Sequence, residues 1–236
     1  MIGISTFCLI EEPLLPALDR LTELTDRIEI MDEGLHHVSD PAVLESYTAD
    51  FSFHAPFHGM NIASVFEPIR RASVGVMADC FAVAAEIGAP VVIHPGYFAW
   101  RNEQETAARQ FGKSCAELRD LAREFSAEFS FENMSNTNFF NLRTPGDLAA
   151  LSGIPFTLDV GHANLNRCLP AFLGTPFVHM HLHDNDGRRD SHSPVGEGTI
   201  DFVPVLAAME HARASAVIEV STFEGSVASL RTLEEL

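Results

Sequence analysis

Nine side chains carry the chemistry of metal ligation, and six of them recur in one kind of place. His54, His94, Glu132, Asp159, His181 and Glu219 each close a short apolar segment: FSFH, VVIH, FSFE, FTLD, VHMH and AVIE. A hydrophobic strand has no structural reason to end repeatedly on an imidazole or a carboxylate, because each must be desolvated and paired. His162 follows Asp159 by three residues in DVGH, and Asp190 and His192 sit together in DSH. Imidazole and carboxylate donors without cysteine suit zinc, manganese or iron and argue against a structural zinc knuckle. Each residue also has a plainer alternative. His54, in FHAPFHG, and His94, before Pro95-Gly96, could be turn histidines on carbonyls. Glu132 could open a solvated loop, Asp159 could cap a turn, and His181, Asp190 and His192 could be rim or loop polars. The plainer account needs nine coincidences; metal binding needs one cause.

The stretch His179-Met180-His181-Leu182-His183 has period two, which puts all three histidines on one face of a strand. The loop after it reads HDNDGRRDSHSPVGEGTI. Its glycines 187, 196 and 198 permit tight turns that bring Asp190 and His192 back over the strand ends. An EF-hand is not supported, because the DxDG spacing is incomplete and the bidentate Glu is absent.

Eight segments read as the strands that position these residues: Ile2–Phe7, Arg27–Met31, Asp50–His54, Pro90–His94, Phe129–Glu132, Phe156–Asp159, Phe177–Leu182 and Ala216–Glu219. Helical spacing of apolar residues falls between most of them, over Pro13–Leu24, Val65–Ile87, Glu103–Phe125, Phe202–His211 and Ser226–Leu236. Asp40–Tyr47 reads as a short helix with an Asp cap, and Thr144–Leu151 opens with Thr-Pro. Between Asp159 and Phe177 the helical signal is weak, and Pro170 and Pro176 interrupt it. This alternation predicts parallel β/α units. A count of eight favours a closed (β/α)8 barrel over an open sheet, whose GxGxxG signature is absent. In such a barrel all C-terminal strand ends face one rim, where distant residues converge. No linker, low-complexity tract or long charge run divides the chain, so one domain over residues 1–236 is expected.

With 46% hydrophobic and 20% charged residues, general disorder is excluded. Thirty-three acids face fifteen bases, for a formal charge of −18, and Lys113 is the one lysine. Such a chain repels polyanions at long range, which disfavours a broad grip on duplex DNA. A metal cluster could still supply a local positive focus. Cys8, Cys80, Cys115 and Cys168 are far apart, form no CxxC pair, and read as reduced thiols of a cytoplasmic protein. The N-terminus lacks a basic n-region and a cleavage signal, and no apolar run approaches the ~18 residues of a membrane span. No membrane partner is expected, and a homo-oligomer is left open.

The segments HAPFHGMNIAS, IHPG, FEN, LDVGH, HLHDNDGRRDSH with GEG, and IEV, in that order, resemble the xylose isomerase-like TIM-barrel superfamily. It includes the endonuclease IV (AP endonuclease family 2) enzymes and many sugar isomerases and epimerases. The similarity to endonuclease IV implies three ligand sets. His54, His94 and Glu132 form one, Glu132 bridges to Asp159, His181 and Glu219, and His162, Asp190 and His192 form the third. Up to three zinc ions would bind a phosphate and generate the attacking hydroxide. The similarity to the isomerases implies instead one divalent metal, with Mn2+ or Fe2+ as acceptable as Zn2+, on Glu132, Asp159, His181 and Glu219. Glu132 and Glu219 would then move a proton through an enediolate, with His162 on a substrate hydroxyl.

The chain is short for endonuclease IV, so the loops that grip a duplex are expected to be trimmed. Phe57 and His58 offer either a wedge for a base stack or packing at the rim. Xylose isomerases add a lysine near the metal, whereas Lys113 lies in a predicted helix away from the rim. The isomerase scheme leaves His54, His94, His162, Asp190 and His192 unexplained. The ligand inventory therefore favours a multinuclear site for phosphoester hydrolysis, with catalytic roles for Glu132, Glu219 and His162. A small phosphoester or sugar is the expected substrate. A metal-dependent sugar isomerase or epimerase is the alternative, and a non-catalytic metal-binding barrel is the third reading.

Overall fold

A computed structural model describes residues 2–136 and 139–236. Eight strands close a barrel in chain order: β1 (Ile2–Ser5), β2 (Arg27–Met31), β3 (Asp50–His54), β4 (Val91–Ile93), β5 (Phe129–Glu132), β6 (Phe156–Asp159), β7 (His179–Leu182) and β8 (Ser215–Ile218). Every neighbouring pair is parallel, and β1 meets β8 through Ile2↔Ala216, Gly3↔Val217 and Ile4↔Ile218. The (β/α)8 expectation is met.

The period-two alternation of the strands separates two buried environments. Phe129 and Phe131 of β5 point outward, with rings 5.2 and 5.1 Å from Phe81 and Phe111 of the helical layer. Between them, Ser130 points inward to Thr157, 2.6 Å away. The inward set on other strands is equally polar: Glu29, Ser52, His54, Glu132, His179 and His181 are all buried. The apolar core therefore lies between sheet and helices, while the barrel interior is lined by groups that can do chemistry.

The helices are α1 (Leu14–Leu21), α2 (Glu67–Glu86), α3 (Gln104–Phe125), α4 (Val160–Leu165), α5 (Leu169–Phe172), α6 (Phe202–Ala212) and α7 (Phe223–Glu234). Pro68 sits in the first turn of α2, where its missing N–H costs nothing. The Asp201 and Thr222 side chains cap α6 and α7 by accepting from the amides of Val203 and Gly225. Buried Arg70 ties α2 to α3, contacting Glu67 at 2.7 Å and Glu117 at 2.8 Å and donating to Ser114. No helix among the described residues is long and apolar enough to cross a membrane.

Several boundaries differ from the sequence expectation, each for a local reason. The segments expected as helices over 40–47 and 144–151 are 3-10 turns at Pro41–Leu44 and Pro145–Leu151. The 3-10 form is the one used in short pieces and connectors such as these. The expected Asp40 cap is present, accepting from the Ala42 amide. The first strand stops at Ser5 because Thr6–Leu9 turns as a 3-10 helix whose Phe7 amide donates to Ser5. β7 begins at His179 rather than Phe177, and α7 begins at Phe223 rather than Ser226, at its Thr222 cap. β4 and β8 end one residue before His94 and Glu219. In the weak stretch after Asp159, α4 is started by the Asp159 carboxylate, which accepts from the His162 amide at 2.6 Å. Pro170 falls in the first turn of α5, where it breaks nothing.

Candidate metal centre

The strand ends, α4 and the loop after β7 bring all nine candidate donors together at the C-terminal rim. Glu132 is the hub. Its Oε2 lies 3.3 Å from His54 Nε2 and 3.2 Å from His94 Nε2, and its Oε1 lies 3.0 Å from His162 Nδ1. His181 Nδ1 faces three carboxylates, 3.6 Å from Glu132, 3.9 Å from Asp159 and 3.4 Å from Glu219. Above them, Asp190 lies 2.9 Å from His162 Nε2 and 3.6 Å from His192 Nε2. Ligand atoms within 4.8 Å of one another form the groups His54–His94–Glu132, Glu132–Asp159–His181–Glu219 and His162–His183–Asp190–His192. Two of these are sets named from the sequence; the third gains His183. A fourth group, Glu29–His179–His181, lies deeper in the barrel.

Backbone carbonyls fix the histidine tautomers. His54 Nδ1 sits 3.0 Å from the Ala55 carbonyl, His162 Nδ1 2.8 Å from that of Asn133, and His192 Nδ1 2.8 Å from that of Glu219. A carbonyl only accepts, so each Nδ1 carries a proton, and each ring in its neutral form offers its Nε2 lone pair to the site. Each such lone pair faces a carboxylate oxygen. Two acceptors face to face call for a cation between them, a proton or a metal ion. Glu132 Oε1 and both ring nitrogens of His181 are buried without a hydrogen-bond partner. The residues present therefore fit a metal cluster, by donor type, tautomer and orphaned atoms together.

The electrostatics follow the same pairing. Burial works to raise the Glu132 carboxyl, but His181 and His94 outweigh it and hold it well below the usual carboxylate range. Burial likewise raises Glu219, and His181 overrides it to leave the group at about 2. Burial lowers His181, but Glu219, Glu29 and Glu132 push it well above an ordinary histidine.

Two neighbours of the site escaped the sequence reading. Glu29, fully buried on β2, lies 3.0 Å from His181 Nε2 and 3.2 Å from His179 Nε2, and accepts from Ser52 at 2.9 Å. In RIEIM it reads as the water-facing half of an alternating strand. In a closed barrel neither face meets water, and that is the signal that could have found it. His183 lies 3.1 Å from both oxygens of Asp159 and stacks on His192 at 3.9 Å. Its period-two position was legible, but its role beneath the returning loop was not. Gly161 makes room for it, since a Cβ there would sit 2.0 Å from the His183 ring.

The loop that returns Asp190 and His192 is folded around one residue. Asp184 accepts from the amides of Asn185, Gly196, Gly198, Thr199 and Ile200. At the other side of the chain order, Asn133 locks β5 to β6 by exchanging hydrogen bonds with the Asp159 backbone.

A cavity of about 390 Å³ opens over the donors, with His54, His94, Glu132, His162, Asp190, His192 and Glu219 exposed to it. Asp159 and His181 lie beneath this layer, fully buried. Glu33 fixes one wall by accepting from the amides of Phe57 and His58. The Phe57 ring lies 4.6 Å from that of His94, so it packs at the rim rather than projecting as a wedge. Lys113 pairs with Glu67 at 3.8 Å on the helical layer and is not among the residues around the cavity.

Comparison with known proteins bears on this geometry. The family model for the xylose isomerase-like TIM barrel matches residues 42–236. An uncharacterized protein of Methanocaldococcus jannaschii is 32% identical over 85% of the chain and 84% of its own length. A probable endonuclease 4 of Mycobacterium leprae is 27% identical over 78% of the chain and 77% of its own length. Among solved structures, a D-tagatose 3-epimerase-like protein superposes with a TM-score of 0.90 at 27% identity, covering 99% of this chain and 96% of that one.

Proposed function

The chain belongs to the xylose isomerase-like TIM-barrel family, and from that premise we propose that it is a metal-dependent phosphoester hydrolase of the endonuclease 4 kind, acting on a small phosphoester. The observation that carries this reading is the grouping of the nine donors, with His183 added, into three sets, two sharing Glu132 and the third touching it through His162. A single-metal enzyme would use one set and leave five well-oriented side chains, His54 and His162 among them buried, beside it without purpose.

His54, His94 and Glu132 would hold one ion. Glu132, Asp159, His181 and Glu219 would hold a second, and His162, Asp190 and His192 a third, with zinc the metal that this donor chemistry suits first. Such ions, when bound, supply positive charge for a phosphate and lower the pKa of coordinated water. The chain's own contribution is orientation and exclusion. Carbonyl-bound Nδ1 protons hold three imidazoles with their lone pairs inward. Glu132 and Glu219 are held ionised by the histidines around them, the form in which a carboxylate serves as a donor to a metal. No lysine or arginine lines the cavity among the described residues. The charge that meets a phosphate must therefore come from the metal positions. A long duplex, facing a protein of charge −18, is the poorer substrate.

Metal analysis of protein purified without added metal tests this reading. Two or three zinc ions per chain, with hydrolysis of small phosphoesters, support it. One ion per chain, with no phosphoester turned over, refutes it. A sugar epimerase is the second reading, favoured by the 0.90 superposition on the epimerase-like structure and by Glu132 and Glu219 both lying against His181 Nδ1. Under that reading Glu219→Gln stops solvent hydrogen exchange into a ketose without emptying the metal site.

A further inference from the structure

We propose that the cavity above the donors selects phosphoesters whose organic part carries a flat aromatic ring; this rests on the hydrolase reading and names its substrate class. The walls over the donors are made by Phe7, Met31, Phe57, Met60, Tyr97 and Phe140. Apart from the donors, the polar side chains at the cavity among the described residues are those of His58, Ser135 and the Tyr97 hydroxyl. A polyol brings a hydroxyl on nearly every carbon, and each loses water on entry. These walls offer too few partners to replace it. A ring loses little water and gains contact on every side.

The aromatic walls are built rather than incidental. Tyr97 and Phe140 come from the loops that follow β4 and β5, and an antiparallel bridge joins them backbone to backbone. Their rings meet edge to face, 6.0 Å apart. Asn61 anchors this bridge by donating to the Tyr97 carbonyl at 2.9 Å and accepting from its amide. Phe57 is held by the Glu33 clamp, and Phe7 lies edge-on to His192 at 5.2 Å. Aromatic faces thus border the donor groups on the β1, β3, β4 and β5 sides. Tyr97 is 41% exposed, an amphipathic ring left open at the mouth. At about 390 Å³ the cavity suits one small molecule and not a duplex.

The test compares ligands that share a head group and differ by one ring. Binding of benzylphosphonate and methylphosphonate to the full chain supplied with zinc is measured by calorimetry. Benzylphosphonate is expected to bind roughly tenfold tighter or more, as burial of a ring implies. Tyr97→Ala and, separately, Phe140→Ala are expected to pull that ratio toward one. Equal affinity of the two phosphonates overturns the proposal, as does a ratio that neither variant moves. Neither ligand is hydrolysed, so the result stands apart from catalysis. A tenfold ratio without turnover of any phosphoester keeps the ring selectivity and removes the hydrolase. Turnover of phosphoesters without a ratio does the reverse. A nucleoside 5′-phosphonate separates the two sources of such a ring. Tighter binding than the benzyl compound assigns the ring to a nucleobase, and weaker binding assigns it to a simple aryl group.

Discussion

Gly161→Ala tests whether the site depends on a missing side chain. Gly161 lies inside α4 and has no left-handed backbone angle. On backbone grounds alone alanine would stabilise by about 0.5–1 kcal/mol. Packing says the opposite. A Cβ there meets His183 ring atoms at 2.0, 2.4 and 2.5 Å. The ring must retreat by about 1.4 Å, the gap between 2.0 Å and the 3.4 Å of ordinary contact. His183 has nowhere to go, being fully buried, stacked on His192 and held at Asp159. Overpacking of this kind costs about 1–3 kcal/mol. After the helix gain the net loss is at most roughly 2.5 kcal/mol, or up to about 10 °C in Tm for a chain of this size. Thermal unfolding in chelator measures it without any contribution from bound metal. The decisive comparison is the same substitution in a His183→Ala background. There the obstacle is gone, and alanine at 161 should stabilise. A substitution that has the same sign in both backgrounds refutes the packing argument.

Three further outcomes are expected. Asp190→Ala combined with His192→Ala should remove one ion from the metal count by elemental analysis, along with most turnover; an unchanged count and rate would sink the third donor group. Glu29→Gln should weaken zinc binding roughly 10- to 100-fold, because it removes the carboxylate behind His181, with far-ultraviolet circular dichroism unchanged; a competitive zinc titration identical to the parent would show that Glu29 does not act through the metal. Arg70 and then Gln110 hold the Glu67 carboxyl at about 2, against 4.5 for the free group. Its folded pKa is the lower one, so its contribution is full above about 4.5 and is lost as pH falls toward 2. Tm of Glu67→Gln should therefore fall less steeply than that of the parent across that window, and parallel slopes would contradict the assignment.

The six strand-end donors were legible because barrel topology turns sequence position into place. A residue that closes a parallel strand must stand on the C-terminal rim, whatever lies between it and the next. Asp190 and His192 were legible through the glycines of their loop, although the actual organiser is Asp184 with its five amides. Glu29 was hidden because it stands mid-strand, two residues before the end of β2, where only closure of the barrel turns its side chain inward. His183 was hidden because its use depends on a loop returning from residues 190–192 and on Gly161 being bare, and both are tertiary facts. The two segments read as α-helices are short 3-10 segments, for which capping signals are the same in 3-10 and α form.

The interior chemistry also explains why the barrel tolerates so much buried charge. Glu29, Glu132, Asp159 and Glu219 lie in one buried column, interleaved with His54, His162, His179, His181 and His183. In the histidines whose Nδ1 is tied to a carbonyl, the imidazole cannot donate inward unless it takes a second proton. The column thus has two ways to balance: protons on several crowded imidazoles, or a few divalent cations between the same atoms. The first places like charges side by side, as His54 and His94 would be with ring centroids 4.8 Å apart. The second replaces those charges by fewer, shared ones and satisfies the orphaned Glu132 and His181 atoms at once. Cation binding and folding are then one equilibrium viewed from two sides. The donors on the rim are stabilising when filled and a liability when empty.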